Sequence, residues 1–181
     1  INTFHKELKS NTLAIIQEPQ IKKAAISGVP ASHLAIVPMS TGKSRVALYL
    51  PIDLKHKFIK QVQFSTMDCL VATIKINASV SIILASIYME KNDPLPLSTV
   101  TSISNYADKH QLPLIIGTDS NSWHTAWGPP STDKRGRELL QCINSNNLVI
   151  CNEGRTPTFT GGNGSSCIDL TLVNTKAQSL I

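Results

Sequence analysis

Short apolar runs separated by turn-forming residues recur along the whole of this 181-residue sequence. The runs are Leu13–Gln17, Leu34–Pro38, Val46–Leu50, Cys69–Ile76, Val80–Tyr88, Leu112–Ile116, Leu148–Cys151 and Ile168–Val173. Short apolar segments bounded by turn residues and enriched in β-branched side chains predict buried β-strands rather than helices. Only the polar segment Asn77–Ser79 separates the fourth run from the fifth, which predicts a hairpin. The chain is therefore expected to be rich in β-structure.

Two further segments have the periodicity of amphipathic helices. In Ser98–His110 the apolar residues lie three and four positions apart, and in Lys134–Ser145 they mark a single helical face. Asp133 is predicted to be the N-cap of the second helix. Gly161–Ser166, by contrast, is predicted to be an irregular, flexible loop. Many strands and few helices favour an α/β (α+β) fold in which two packed mixed β-sheets are flanked by helices.

The composition narrows the class of protein. A hydrophobic content of 41% with 16% charged residues excludes a disordered chain, and the length suits one domain. No apolar run approaches the ~18 residues of a membrane helix, so no membrane partner is expected. Seventeen basic residues against twelve acidic ones give a net charge of +5, which is compatible with a polyanionic partner without requiring one. The four cysteines show no C-x-x-C spacing, which favours reduced thiols in an intracellular protein over a zinc site or disulfides.

The segment Leu114–His124 holds the strongest candidates for chemistry. Its apolar run ends in Asp119, and Asn121 and His124 follow within five residues. Polar residues at the end of a buried strand are where α/β proteins place their sites. If the extended geometry continues for two residues, Asp119 and Asn121 point the same way. The alternative is an Asx-rich turn that merely closes the strand.

Taken with the rest of the chain, this segment resembles a known family. Asp119–His124 followed by Trp127-Gly128 resembles the Asp-x-Asn motif of the endonuclease/exonuclease/phosphatase superfamily, and most of all the AP-endonuclease-like domain of non-LTR (LINE-type, jockey-like) retrotransposons. Further matches follow in the family's order: Ile15–Pro19, Arg45–Tyr49, Ala85–Tyr88, Arg135-Gly136 with Leu139-Leu140, Asn152 with Gly154 and Pro157–Phe159, and Ile168–Leu172. Together the motifs span almost the whole chain.

The resemblance implies the superfamily's DNase I-like fold, a four-layer α/β sandwich, as a single domain over residues 1–181. Two family features have no counterpart in the sequence. One is a first strand with an Asn that supports the metal-binding Glu, for which Asn2 lies too near Glu18. The other is a Ser-Asp-His segment downstream of Ile168–Leu172. The domain is therefore expected to be truncated at both places.

The resemblance also implies roles for two strand-end residues. Glu18 matches the family's metal carboxylate, and Mg²⁺, with Mn²⁺ as a substitute, is the implied cofactor. Mg²⁺ keeps most of its waters and needs only one or two protein carboxylates. Tyr88 matches the tyrosine that donates to a phosphate oxygen, although Glu90 stands where the family usually has Pro. The structural alternatives are an exposed strand-end acid and a tyrosine at the edge of the core.

In the same way, Asp119 is expected to orient or deprotonate the attacking water and Asn121 to donate its amide to the scissile phosphate. Asp169 interrupts an apolar strand, so its carboxylate must be paired or coordinated, and in the family it orients a catalytic His. His124 is expected to contact phosphate or, equally, to be a structural histidine that bonds its own loop. These residues, with Glu18 and Tyr88, are expected to converge on one site.

Four more residues are candidates for DNA contacts. Arg135 and Arg137 at the start of a helix are expected to touch phosphates, the alternative being a solvated helix face. Thr158 and Phe159 precede a glycine-rich loop and resemble a family hairpin that probes the minor groove.

The resemblance as a whole implies a Mg²⁺-dependent endonuclease that nicks double-stranded target DNA to prime reverse transcription. Its expected partners are that DNA and the reverse transcriptase domain of the same polyprotein, and its expected location is the nucleus. Two alternatives remain open. One is a phosphoesterase of the same superfamily that acts on small or lipid phosphates, and the other is a catalytically crippled, truncated remnant.

Overall fold

The computed structural model describes residues 8–22, 25–38, 42–152, 157–161 and 164–180. The chain divides into two compact units, Ile1–Tyr88 and Met89–Ile181. The predicted apolar runs become strands in both units. The prediction of a single domain over the whole chain stays a prediction.

The first unit consists of eight strands and two short 3-10 turns in its described residues. The strands are β1 (Ala14–Gln17), β2 (Ile21–Lys22), β3 (Ala25–Ile26), β4 (His33–Ile36), β5 (Val46–Pro51), β6 (Phe58–Lys60), β7 (Cys69–Lys75) and β8 (Ser81–Tyr88). Strands β1, β5 and β4 form one antiparallel sheet in that order, β6, β7 and β8 pair in antiparallel order, and β2 pairs with β3. The predicted hairpin at Asn77–Ser79 joins β7 to β8, where the Asn77 Oδ1 accepts from the Ser79 and Val80 amides.

The core of the first unit lies between these two layers of strands. Every residue of β5 is buried, and β1 and β5 pack against β7 and β8. One polar bridge crosses this apolar interface: the fully buried Ser86 donates to the Ile16 carbonyl at 2.8 Å and accepts from Gln17 Nε2 at 3.0 Å. A buried hydroxyl with both roles filled ties β8 to the end of β1, the strand that leads into Glu18.

The second unit combines five strands and three helices in its described residues. They are α1 (Leu97–His110), β9 (Leu114–Asp119), α2 (Lys134–Ser145), β10 (Leu148–Ile150), β11 (Phe159–Gly161), β12 (Gly164–Ser166), β13 (Asp169–Asn174) and α3 (Thr175–Gln178). Strand β13 pairs antiparallel with β9 on one side and with β10 on the other. The two long helices pack on each other.

Hydrogen bonds from side chains to the backbone define where the elements of this unit begin and end. Helix α1 ends where Gln111 adopts a left-handed conformation with φ 56°. The predicted N-cap of α2 is confirmed, since Asp133 Oδ1 accepts from the Gly136 amide at 2.6 Å. Asn174, which the sequence did not single out, accepts from the Leu114 and Ala177 amides and donates to the Leu112 carbonyl. It thereby joins the start of β9 to the end of β13 and caps α3.

The prediction of an irregular loop over Gly161–Ser166 is wrong. Gly161 ends β11, Gly164 begins β12, and the two residues are register partners in an antiparallel hairpin. Residues 162 and 163, at the centre of the predicted loop, lie outside the described residues. The short strands β2, β3 and β6 were not predicted either. In the described residues no helix is long and apolar enough to cross a membrane.

Candidate active site

Glu18 stands directly after β1 with its side chain exposed. Its backbone has φ 50°, the left-handed region that non-glycine residues rarely adopt, and its amide donates to the Arg45 carbonyl at 2.8 Å. The residue lines a pocket of about 340 Å³ together with Lys43, Ser44 and Arg45. A carboxylate held at a pocket by a strained backbone fits a functional role better than an ordinary strand-end acid does.

Tyr88 belongs to a cluster that sequence reasoning missed. The Arg45 guanidinium lies over the Tyr88 ring, 4.5 Å from its centroid. The same guanidinium pairs with both oxygens of Asp68, from Nε at 2.5 Å and from Nη2 at 2.6 Å. The Asp68 carbonyl in turn accepts from the Tyr88 amide at 2.9 Å. Arg45 and Asp68 therefore fix both the ring and the backbone of the half-buried tyrosine.

Asp119 and Asp169 are directly opposite each other in the second unit. They are register partners at the ends of β9 and β13, and both are half-buried. Directly opposite residues on an antiparallel pair carry their side chains on the same face, so two carboxylates lie side by side. Paired carboxylates are hard oxygen donors of the kind that a divalent cation accepts. The sequence placed Asp119 at a strand end and Asp169 inside an apolar strand, whereas the structure begins β13 at Asp169, and the register of the two could not be predicted.

The strand does not continue to Asn121, which was the condition for expecting Asp119 and Asn121 to point the same way. Strand β9 ends at Asp119, and Asn121 has a left-handed φ of 43°. The Asn121 amide donates to Asp119 Oδ1 at 3.2 Å, which closes the Asx turn held open as an alternative. The Asn121 side chain is placed instead by the Met89 carbonyl, which accepts from its Nδ2 at 3.2 Å. The Met89 amide donates to the Asp119 carbonyl at 2.9 Å, so the two loops are joined on both sides.

Two buried serines stabilise this turn through hydrogen bonds to backbone carbonyls. Ser120 is fully buried and donates both its amide and its Oγ to the Ile168 carbonyl, at 2.8 and 2.7 Å. Ser122, also fully buried, donates to the Ser120 carbonyl, and Trp127 Nε1 donates to the Ser122 carbonyl at 3.2 Å. The loop after Asp119 is therefore a hydrogen-bonded structure with its polar groups satisfied.

The His124 side chain makes its contacts within its own loop. Its Nδ1 accepts from the Ala126 amide at 3.0 Å and caps a short 3-10 turn, and its ring lies 5.1 Å from the Trp127 ring. An accepting Nδ1 requires the neutral imidazole with its proton on Nε2. The geometry favours the structural alternative for His124 over a phosphate-binding cation.

The two predicted DNA-binding arginines differ sharply. Arg135 is half-buried, and its guanidinium donates to the backbone carbonyls of Asn121, Glu90 and Asp93. Arg137 is exposed, and its side chain makes one long contact, to the Thr132 carbonyl at 3.4 Å. Of the two, Arg137 has the solvent-facing position expected of a phosphate contact.

Thr158 connects the β11–β12 hairpin to the strand that carries Asp169. Its Oγ1 accepts from the Ile168 and Asp169 amides, at 3.2 and 3.1 Å. Asn152 bridges the next positions, donating to the Asp169 carbonyl and accepting from the Thr171 amide, both at 2.8 Å. Phe159 begins β11, and its side chain lies outside the described residues.

The described residues contain no cluster of three or more His, Cys, Asp or Glu that could enclose a metal ion. Mg²⁺ does not require one, because it keeps several waters and takes one or two carboxylates. Both the exposed Glu18 carboxylate and the Asp119–Asp169 pair are hard oxygen donors of that kind. The donor chemistry therefore fits Mg²⁺ and not a closed structural zinc site.

The cysteines are poor candidates for nucleophiles. Burial, with a smaller contribution from Asp68, raises the pKa of Cys69 to about 12. Burial also raises the pKa of Cys142 and of Cys151. The four thiols are free, as predicted.

Comparison with known proteins supports the resemblance seen in the sequence. The endonuclease domain of TRAS1, a telomere-specific non-LTR retrotransposon, is 27% identical, with a TM-score of 0.72 over 93% of this chain and 75% of that one. A 3′ phosphatase, NExo, from Neisseria, bound to a product DNA hairpin, is 14% identical, with a TM-score of 0.59 over 91% of this chain and 76% of that one. An endonuclease/exonuclease/phosphatase family protein from Leptotrichia buccalis is 12% identical, with a TM-score of 0.56 over 96% and 79%. The last two show the fold alone.

These matches confirm the predicted fold class, two mixed β-sheets flanked by helices in the endonuclease/exonuclease/phosphatase arrangement. A comparison with curated proteins gives no match. A family model described as endonuclease-reverse transcriptase matches residues 82–180, which is more than half of the chain and includes Asp119, Asn121 and Asp169. The chain therefore belongs to the endonuclease-reverse transcriptase family.

Proposed function

We propose that this chain is a metal-dependent DNA endonuclease domain that hydrolyses one phosphodiester bond of double-stranded target DNA, so that the nicked strand primes reverse transcription. The observation that carries the proposal is the pair of opposed carboxylates Asp119 and Asp169 beside the hydrogen-bonded Asn121 turn. Phosphodiester hydrolysis needs an oriented water, a stabilised phosphate charge and help for the leaving oxygen.

In this proposal Asp119 orients the attacking water. The Asn121 amide holds the Asp119 carboxylate at one oxygen, which fixes the direction in which the group accepts a hydrogen bond. The Asn121 side-chain amide contacts the scissile phosphate after exchanging its hydrogen bond to the Met89 carbonyl for one to a phosphate oxygen. Asp169, directly opposite Asp119, supplies a second carboxylate beside the reacting phosphate.

Glu18 is the proposed metal ligand, with Mg²⁺ as the ion and Mn²⁺ as its substitute. Bound there, the ion would supply positive charge to the phosphate. The residue's exposed carboxylate and the lysine that shares its pocket leave room for a hydrated ion and an anionic substrate. Tyr88, held by Arg45 and Asp68, donates its phenol to a phosphate oxygen.

DNA contacts outside the reacting phosphate include Arg137 and the hairpin that contains Thr158 and Phe159. The exposed position of Arg137 suits a phosphate contact, and the hydrogen bonds of Thr158 anchor the hairpin to β13. A reverse transcriptase domain of the same polyprotein as partner, and a nuclear location where target DNA is present, complete the proposal.

The test is nicking of supercoiled plasmid in Mg²⁺ by the wild-type chain and by Asp119→Asn, with Mg²⁺ omitted or replaced by Ca²⁺ in parallel. We expect conversion to open circles by the wild-type chain only, and only with Mg²⁺ or Mn²⁺. Release of phosphate from inositol phosphates or a 3′-phosphorylated oligonucleotide, without nicking, would overturn the proposal in favour of a phosphoesterase. Nicking that persists in Asp119→Asn would overturn the assignment of the residue.

A further inference from the structure

Arg135 makes an unusual set of contacts for a residue in the first turn of a helix. Its guanidinium donates from Nε to the Asn121 carbonyl at 3.2 Å, from Nη1 to the Asp93 carbonyl at 2.5 Å and from Nη2 to the Glu90 carbonyl at 3.1 Å. All three acceptors are neutral backbone groups, and they belong to two different loops. One loop follows Asp119, and the other begins at Met89.

These contacts use the shape of the guanidinium rather than its charge. Arginine presents donors in a rigid planar fork, so one side chain can bind several carbonyls in fixed directions. The three contacts engage all three nitrogens of the guanidinium and so fix its plane against the two loops. Arg135 is half-buried over the carbonyls, whereas Arg137 two residues later is exposed. Two arginines in one helical turn therefore have different surroundings. Arg135 clamps two loops together through their carbonyls, whereas Arg137 faces solvent.

The two loops joined by Arg135 are the ones that hold Asn121. The Asn121 side chain donates to the Met89 carbonyl, and its backbone sits at φ 43°. Arg135 binds the carbonyl of Asn121 itself and that of Glu90, the residue after Met89. A change in the spacing of the loops would therefore move the Asn121 amide and the turn that holds the Asp119 carboxylate.

Gly136 shows that the same helical turn is pressed against this loop. A Cβ at position 136 would lie 2.0 Å from the Trp123 carbonyl oxygen, a distance that no side chain tolerates. The Trp123 carbonyl also accepts from the Asp133 amide at 2.9 Å. The first turn of α2 is therefore fixed in position relative to residues 121–123, and the Arg135 side chain extends from that turn.

We infer that Arg135 is a positioning residue, which holds the Asn121 turn against the Met89–Asp93 loop, and that it is not a contact to DNA phosphate. The inference rests on the proposed function for its activity readout, because it states how Asn121 is placed for the reacting phosphate. Its structural part, the clamp on two loops, stands without that function.

The experiment compares Arg135→Lys with the matched control Arg137→Lys, since each keeps its positive charge and loses the planar fork. Both tryptophans of the chain, Trp123 and Trp127, lie in the loop that α2 supports, so tryptophan fluorescence, excited selectively over that of the three tyrosines, reports on this loop. We expect Arg135→Lys to change acrylamide quenching of Trp123, which is 43% exposed, and to speed amide exchange over residues 89–93 and 119–124. Arg137→Lys should change neither.

In plasmid nicking, Arg135→Lys should lower kcat by about 10–10²-fold with KM and the salt dependence of DNA binding unchanged, because small misplacements at a reacting centre cost rate rather than affinity. Arg137→Ala should instead weaken DNA binding and reduce its salt slope. A reduced salt slope with normal kcat in Arg135→Ala would overturn the inference, as would unchanged fluorescence and exchange in Arg135→Lys. If the wild-type chain nicks no DNA, the proposed function fails, and the fluorescence and exchange results still decide the clamp.

Discussion

The two units of this chain hold their candidate catalytic residues by different means. In the first unit, charged side chains act on each other: Arg45 pairs with Asp68 and stacks over Tyr88. In the second unit, side chains act on the backbone, and Arg135 and Asn121 bind carbonyls. The first arrangement depends on charge and therefore on salt. The second depends on the path of the main chain, which salt scarcely affects.

The two units also differ in net charge. Residues 1–88 contain ten Lys and Arg against four Asp and Glu, a net charge of +6, while residues 89–181 contain seven against eight, a net charge of −1. The whole positive excess thus lies in the unit of Glu18, and the opposed carboxylates lie in the near-neutral unit. A polyanionic partner would therefore be attracted mainly by the first unit.

The largest effect should separate Glu18 from Asp119. Asp119→Asn should lower plasmid nicking by about 10³-fold or more at every Mg²⁺ concentration, because a catalytic acid–base group is removed. Glu18→Gln should lower nicking at low Mg²⁺ but recover part of it at high Mg²⁺, because the absence of one ligand weakens metal binding. A Mg²⁺ titration of both variants measures the difference. Recovery of Asp119→Asn by Mg²⁺ would reverse the two assignments.

The thiols should differ in reactivity. With its pKa raised to about 12, Cys69 holds its proton in the folded state well above the ordinary value of 9.0. At pH 8 it should react with iodoacetamide at least ~10²-fold more slowly than the less buried Cys151, because the thiolate is the nucleophile. Mass spectrometry of the labelled chain measures this. Labelling of Cys69 at the rate of Cys151 would contradict the burial of the Cys69 thiol.

The raised pKa of Cys69 also determines how the free energy of unfolding changes with pH. Between about pH 9 and 12 the unfolded state loses the Cys69 proton while the folded state keeps it, so the free energy of unfolding decreases as pH rises. Below pH 9 this contribution is complete and constant. The difference in unfolding free energy between wild type and Cys69→Ala should therefore shrink above pH 9.

A smaller effect concerns the ion pair of the first unit. Arg45→Lys keeps the charge but removes the bidentate pairing and the stacking on Tyr88, and should lower the free energy of unfolding by about 1–2 kcal/mol. The matched variant is Lys134→Gln, which removes the exposed Lys134–Glu138 pair of helix α2 and should cost less than ~0.5 kcal/mol. Urea unfolding in low and high salt measures both, and equal costs would refute the comparison of the units.

The smallest effect concerns DNA affinity. Lys57 and Lys75 are exposed on neighbouring segments, where the Lys57 carbonyl accepts from the Lys75 amide at 2.7 Å, and in the described residues neither joins a salt bridge. Replacing both by Glu should weaken DNA binding a few-fold and reduce its salt slope by about 0.9 for each phosphate that is no longer neutralised. Lys109→Glu with Lys176→Glu, the same charge change in the second unit, is the control. Identical slopes for the two double variants would show that the location of the charge does not matter.

Much of this architecture could be predicted from the sequence because strand and helix periodicity is local. The apolar runs, both long helices and the Asp133 cap follow from residues a few positions apart. Arg45 and Asp68 are 23 positions apart, so no local pattern in the sequence could predict their ion pair. Each is visible in the sequence only as a charged residue beside a buried strand. The contacts of Arg135 could not be predicted for a related reason: its residue type and position suggest a surface cation, and only the folded chain shows three carbonyls within its reach.

The register that places Asp119 opposite Asp169 makes this sheet sensitive to a slip in the pairing of β9 and β13. In an antiparallel ladder a slip by one residue turns every side chain to the other face, so Asp169 would be exchanged for Ile168 or Leu170 and the carboxylate would enter the apolar core. Thr158 and Asn152 pin one end of β13 and Asn174 pins the other. The side-chain hydrogen bonds of these three residues thus disfavour a register-shifted sheet in which the polar pair would be broken.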